Sequence, residues 1–226
     1  MRIERVERIS ASDIADCDFS FDVTSELKAP WDPFLDTRDV EAYAKTYEFD
    51  EDEATANEDR AVIAILDAGR VRGHVIVSKS WNGYAEIDDI QIDRPLRGAG
   101  LGRRLMDHAV KWAKARDLPG IRLETQSNNV AACRFYKKYG FELGGYDEHL
   151  YSALGQSRRE TALFWYLFFK KITGGALLHR PPLVWRLIRP AGFLPWWSPR
   201  KPSPPPRPGR RRRRNTPPRR PCSARR

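Results

Sequence analysis

The chain is predicted to form an α+β fold: a mixed, mainly antiparallel central sheet with flanking helices. Three observations carry that expectation. Three strand-like stretches follow one another closely (residues 61–66, 71–81 and 84–92), separated by the turn pairs Gly69-Arg70 and Asn82-Gly83. A helix, a short apolar strand and a second helix come next, at residues 100–116, 121–125 and 129–139. Two further strands, at 141–151 and 161–169, close the pattern. Strands first in a meander and then alternating with helices point to one layered sheet rather than to separate domains.

Each element has its own justification. Residues 2–6 form a short first strand, and residues 10–58 are polar and irregular. Within them, Val40, Tyr43, Ala44 and Tyr47 have helical spacing, which predicts a helix over 37–49 ending in the acidic run Asp50-Glu51-Asp52-Glu53. Asn82-Gly83 between alternating apolar residues is a hairpin signal. Leu101, Leu105, Ala109, Trp112 and Ala113 mark one apolar stripe of an amphipathic helix, which Asp117-Leu-Pro-Gly stops. Asn129 is suited to open the second helix and Gly140 to end it. Strand 84–92 carries an irregularity: Ala85 and Ile87 share one face, yet Ile90 and Ile92 fall on the face of Glu86 and Asp88. A one-residue bulge between Asp88 and Asp89 restores a single apolar face.

Charge divides the chain in two. Of 226 residues, 40 are Lys or Arg and 30 Asp or Glu, a net +10. Residues 170–226 hold 17 of those basic residues and none of the acidic ones, leaving residues 1–169 with 23 against 30, a net −7. Thirteen of the 17 prolines also follow Lys171. The expected organisation is one acidic domain over 1–169 and a disordered, basic Pro/Arg-rich tail over 170–226. The tail's composition suits non-specific nucleic-acid contact, and it equally fits an out-of-frame extension of GC-rich DNA. Cys17, Cys133 and Cys222 have neither zinc-site nor disulfide-framework spacing, so no metal is expected. The start lacks a signal-peptide core and no run of 18 apolar residues occurs, giving the expectation of a cytoplasmic protein with no membrane partner.

The chemistry-bearing segment is Arg97-Gly98-Ala99-Gly100-Leu101-Gly102, between a strand and an amphipathic helix. Glycines let backbone N–H groups approach a ligand, and a helix N-terminus adds partial positive charge suited to a pyrophosphate. Arg97, Arg103 and Arg104 add full charges. The spacing is neither a dinucleotide fingerprint nor a P-loop.

Arg97-x-x-Gly100-x-Gly102 resembles the acetyl-CoA loop of the GNAT superfamily of N-acetyltransferases. Asn129-x-x-Ala132-x-x-x-Tyr136-x-x-x-Gly140-Phe141 is similar to that superfamily's second signature. Within it, Trp81-Asn82-x-Tyr84-Ala85-x-Ile87-x-Asp89-Ile90, Leu123-Glu-Thr-Gln-x-Asn-Asn129 and Phe164-Trp165-Tyr166-Leu167 resemble streptothricin acetyltransferases, over roughly residues 60–168. The resemblance implies a sheet splayed at the bulged strand, acetyl-CoA as co-substrate, and an amine on the β-lysine arm of streptothricin as acceptor. It further implies backbone contacts to the cofactor from Ile90 and Ile92, cofactor contacts from residues 97–102 and Asn129, and Tyr136 as general acid or donor to the thiolate. A homodimer would be ordinary for the family.

Acetylating a cationic small-molecule amine needs a base, because a lysine-like amine has a pKa of about 10.4 and arrives protonated. Candidates lie on one strand: Glu86 as general base through water, Asp89 as its rival, and Asp88 with Asp89 orienting the cation. Trp81, Tyr84, Trp165 and Tyr166 fit either walls of the acceptor pocket or sheet-core packing. Asp50–Glu53 fits either attraction of a polycation or a solvated helix end. Cys133 lacks a sequence-adjacent base and is read as packing; His74, His108 and His149 stand singly and are assigned no role.

Overall fold

Apolar runs too continuous for a one-sided sheet set the architecture. In the computed structural model, which describes residues 1–29, 36–153 and 160–169, Ala61-Val-Ile-Ala-Ile65 and Val75-Ile-Val77 are each at most 1% exposed. Strands buried on both faces need a layer on each side. They belong to β4 (Arg60–Asp67) and β5 (Arg70–Lys79), at the heart of a seven-stranded sheet. The other strands of that sheet are β1 (Arg2–Val6), β6 (Ala85–Ile92), β7 (Gly120–Gln126), β8 (Glu142–Asp147) and β9 (Ala162–Phe168). Their order is β1-β4-β5-β6-β7-β9-β8, antiparallel throughout except for the parallel pair β6/β7. That pair requires a crossover, which α1 (Leu101–Lys114) supplies. The second helix is α2 (Val130–Tyr139).

On one face, Leu101, Leu105, Met106, Ala109 and Trp112 of α1 pack on Ile63, Ile65, Val75, Val77, Ile121 and Leu123, with Cys133 and Tyr136 of α2 joining the same core. On the other, Val62, Ala64 and Ile76 are covered by Ile9, Ile14 and Ala54, with Phe19 and Phe49 packed alongside. The basic tail, with the boundary at 169/170 and the disorder expected there, lies outside the described residues.

The expected helix over 37–49 is corrected. Residues Thr37–Lys45 are a strand, β3, paired antiparallel with β2 (Phe21–Leu27) in a separate two-stranded sheet. Partial burial alternates along Tyr43, Lys45, Tyr47 and Phe49, the strand period. The helical spacing of Val40 and Tyr43 arises because Val23 faces Tyr43 while Ser25 faces Asp39, a register break that inserts extra residues into β3. With no helix there, Asp50–Glu53 is a turn after a strand rather than a helix end. The last long strand is also shorter than expected: pairing stops at Asp147, and His149 N–H donates back to Asp147 Oδ1 at 2.7 Å in a turn.

The expected bulge is present. Ile76 pairs with Asp89 and Val77 with Ile87, so Asp88 is the extra residue. Ala85 and Ile87 are buried in the helix-side core, and Ile90 and Ile92 pack against the same core. Pairing of β6 with β7 ends at Ile87 opposite Leu123, although both strands continue. The central sheet therefore opens between residues 88–92 on one side and 124–126 on the other.

The β2/β3 hairpin is fixed beside this opening by buried polar contacts. Lys45 Nζ lies 2.7 Å from both carboxylate oxygens of Glu160, and Asn128 Nδ2 donates to Tyr43 Oη at 2.8 Å and to Glu160 Oε1 at 2.7 Å. The side chains of Lys45 and Glu160 are only 16% and 7% exposed. Removing one ion of such a pair strands the other in a poorly solvated place. Lys45→Met is therefore expected to lower unfolding stability by about 3 kcal/mol in urea titrations. The double variant Lys45→Met/Glu160→Gln should recover most of that loss.

Candidate active site

The loop after β6 begins at Asp93, only 2% exposed, which accepts the N–H of Asp18 at 2.9 Å and pairs with Arg72. Arg97 bends back: its Nε donates to Ile92 O at 2.9 Å and its Nη1 to Ser20 O at 2.6 Å. Arg97 thus ties the loop to residues 18–20. Gly98 and Gly100 have φ of +81° and +78°, the left-handed region that favours glycine, and Gly100 is the N-cap of α1 without any side-chain cap. The first intrahelical donor is Arg104 N–H, to Gly100 O at 3.2 Å. The N–H groups of Leu101, Gly102 and Arg103 in the opening turn thus have no helical acceptor and carry the helix's partial positive charge.

These donors open into a cleft of about 630 Å³, within the range of small-molecule and cofactor sites. It brings together nine sequence-predicted residues: Ile90 and Ile92 from the splayed strand, Arg97, Gly98, Gly100, Leu101 and Gly102 from the loop, and Asn129 and Tyr136 from the second signature. Ala99 does not line it. Arg103, Arg134 and Lys138 add cations at its wall. This combination of uncapped amides, cations and an apolar floor fits a molecule with phosphates at one end and a long thin arm. The lining residues that the sequence reading did not assign to the site include Phe19, Phe21 and Tyr47, whose rings close the cleft from the N-terminal side. Their only signal was aromatic alternation in a stretch otherwise polar.

Tyr136 packs against Phe135, Phe141 and Trp165 at ring-centroid distances of 5.3, 5.6 and 6.4 Å. Its hydroxyl has no hydrogen-bond partner among the described residues, and burial raises its pKa, keeping it a protonated donor. Asn129 has two duties: Oδ1 accepts the Ala132 N–H at 3.1 Å, capping α2, while Nδ2 donates to Tyr47 Oη at 3.2 Å. Cys133 is fully buried, and burial pushes its thiol up to about 12, as packing requires.

The sheet face opposite the helices carries the carboxylates. Glu86 accepts from Ser80 Oγ at 2.8 Å and pairs with Arg122 Nη2 at 2.9 Å. Asp88, the bulge residue, accepts from Ser78 Oγ at 2.9 Å and stands 3.7 Å from Arg60 Nε. Burial pushes the Asp88 carboxyl up to about 7, and its Oδ2 has no hydrogen-bond partner among the described residues. Asp89 is held by His74 Nε2 at 2.7 Å and by Gln91 Nε2 at 3.2 Å. His74, assigned no role from sequence, is thus a buried partner of Asp89, with Phe19 and Phe49 edge-on to its ring at 5.7 and 5.5 Å. Glu53, from the acidic run, is raised by burial and by the charges of Asp50, Asp89 and Glu86, with Arg60 opposing them. Across the opening, Tyr151 Oη donates to Glu124; desolvation and the Glu86 charge raise that carboxyl even though solvent reaches it.

The aromatic candidates separate. Trp165 is 1% exposed and belongs to the core, whereas Trp81 is 76% exposed on the β5–β6 loop. Tyr84 meets Tyr166 and Phe168 edge-on at 5.7 and 6.2 Å on the carboxylate-bearing face. Among the described residues, no group of three or more His, Cys, Asp or Glu could hold a metal ion, and no helix is long and apolar enough to cross a membrane.

Known proteins share this arrangement. The profile of the acetyltransferase (GNAT) family matches residues 23–141. A streptothricin acetyltransferase of Escherichia coli is 42% identical over 134 residues, covering 59% of this chain and 75% of that protein. Streptothricin acetyltransferase A of Bacillus subtilis (strain 168) is 36% identical over 138 residues, covering 60% and 79%. The crystal structure of a candidate streptothricin acetyltransferase from Bacillus anthracis str. Ames, in complex with acetyl coenzyme A, superimposes with a TM-score of 0.64 at 35% identity. It covers 74% of this chain and all of its own. The cleft at the splayed strands and these relatives lead to one conclusion: the chain belongs to the GNAT family and is an acetyl-CoA-dependent N-acetyltransferase.

Proposed function

We propose that the acceptor is a primary amine of a cationic antibiotic of the streptothricin type, held on the carboxylate-bearing face and acetylated through the opening between β6 and β7. The observation that carries this reading is the bulge at Asp88: it parts the strands and sets acidic groups on one side of the gap and the phosphate-suited cleft on the other. The relatives named for streptothricin support the acceptor class. Acetyl-CoA supplies the acyl group as a thioester.

The chain's residues do the rest. Amides of the first turn of α1, with Arg103, Arg134 and Lys138, bind the phosphate end; Ile90 and Ile92 pair their backbone with the pantetheine arm. A carboxylate accepts the amine's surplus proton through water, the amine nitrogen bonds to the acyl carbon as the C–S bond breaks, Tyr136 gives its phenolic proton to the sulfur, and the proton shed by the acylated nitrogen passes through water to restore the phenol. Glu86, oriented by Ser80 and Arg122, is the assigned base; Asp89 is its alternative and Asp88 orients the cation, with Tyr84 and Trp81 bordering the acceptor. A specific feature favours a second assignment, Asp88 itself, since its proton affinity near pH 7 matches a base acting at neutral pH.

Three measurements test this reading. Thiol release from acetyl-CoA should be fastest with streptothricin when compared with polyamines and peptide N-termini; no turnover of streptothricin overturns the acceptor assignment. In pH profiles, an acting base must be deprotonated, so kcat/KM should rise as pH increases. If Glu86 is the base, Glu86→Gln loses at least 100-fold while Asp88→Asn retains the profile's shape; if Asp88 is the base, Asp88→Asn removes the limb near pH 7. Finally, the tail is proposed to add nothing to catalysis, so truncation after Lys171 should leave kcat/KM within twofold.

A further inference from the structure

The far end of β7 carries a feature that the acidic strand does not explain. Arg122, Glu124 and Gln126 alternate onto the carboxylate-bearing face, and Asn128 follows two residues on. Gln126 and Asn128 each have a buried amide oxygen, Oε1 and Oδ1, with no hydrogen-bond partner among the described residues. Asn128 is only 3% exposed. Buried amide oxygens left unmade are costly and rare in folded proteins.

Neither amide can turn round to satisfy its oxygen. Asn128 presents Nδ2 to Glu160 Oε1 at 2.7 Å and to Tyr43 Oη at 2.8 Å, and Glu160 is ion-paired with Lys45, so its oxygen faces Asn128 as an acceptor. Gln126 presents Nε2 to Tyr151 Oη at 3.3 Å, whose single proton goes to Glu124. Both nitrogens are committed, so both oxygens remain free as acceptors. Gln126 ends β7 just past Leu123, where β6 leaves it, Asn128 follows in the turn, and the neighbouring Asn129 lines the cofactor cleft.

We propose that Gln126 Oε1 and Asn128 Oδ1 receive two N–H groups of the acceptor's primary amine and set its direction of attack. This rests on the amine-acetylation reading above. The chemistry suits amides better than further carboxylates. A carboxylate stabilises the ammonium and raises its pKa, whereas a neutral carbonyl accepts N–H bonds without holding the full charge. The nitrogen lone pair is then released toward the thioester. The nearby Glu86, Asp88 and Glu124 attract the cation; the two amides hold it once neutral.

The test compares wild type with Gln126→Met and Gln126→Glu, using streptothricin and its N-methylated analogue as acceptors and melting curves as a folding check. Gln126→Met should raise the KM for streptothricin at least tenfold with the KM for acetyl-CoA unchanged, and should narrow the wild-type preference for the primary over the N-methylated amine. Gln126→Glu, which keeps an acceptor oxygen but adds charge, should retain the KM for streptothricin and move the kcat/KM profile to higher pH. An unchanged acceptor KM in Gln126→Met, or an equal loss for both substrates, overturns the proposal while the amine-acetylation reading stands. Absence of thiol release by wild type with every amine tried overturns both.

Discussion

One residue too many in β6 organises the enzyme. An unbroken strand at the centre of this sheet would keep its ladder to β7 and leave no way through. Inserting Asp88 between Ile87 and Asp89 ends that ladder at Leu123, keeps Ile90 and Ile92 on the helix-side face, and leaves their backbone without a sheet partner on the β7 side. A bulge costs ladder hydrogen bonds, and the buried strands β4 and β5 beside it supply the apolar contacts that hold β6 in place. The same device makes the bulge residue a carboxyl that titrates near neutrality, because the extra side chain enters a buried position on the far face. Fold defect, opening between the strands and proton affinity have one origin.

The second constraint is how the N-terminal third is held. Residues 18–22 and the β2/β3 hairpin have few apolar residues of their own, so polar anchors fix them: Asp93 and Arg97 to residues 18–20, Lys45 to Glu160, Asn128 to Tyr43 and Asn129 to Tyr47. Through these contacts Phe19, Phe21 and Tyr47 become a wall of the cleft. The loop after β6, the second helix and the hairpin are thus tied together by polar contacts.

Legibility in the sequence followed the range of the interactions involved. The meander, both helices and their caps were readable because apolar period, Asn-Gly turns and terminal glycines act over a few residues. The bulge was readable for the same reason: parity breaks within one nine-residue strand. The hairpin was not, because Val40 and Tyr43 mimic helical spacing through a register break in β3 that exists only when β2 is opposite. His74 looked solitary because its partner Asp89 lies fifteen residues away on the neighbouring strand. Gln126 and Asn128 looked like ordinary polar residues in a motif, since an unmet oxygen is a property of surroundings rather than of residue type.

By itself, then, the sequence determined the strand and helix order from β4 onward, the glycine loop at a helix start, the break at Asp88, and the opposite net charges of residues 1–169 and 170–226. These are local or additive properties, set by backbone preference, periodicity and formal charge. Only the tertiary structure decided which side chains share a space: that Arg97 is tied to Ser20, that Glu86 is paired with Arg122, that burial brings Asp88 near neutrality, and that aromatics from the N-terminal third close the cleft. Proton affinity, ion pairing and cavity shape depend on desolvation and on neighbours distant in the chain, and those are fixed only when the sheet assembles.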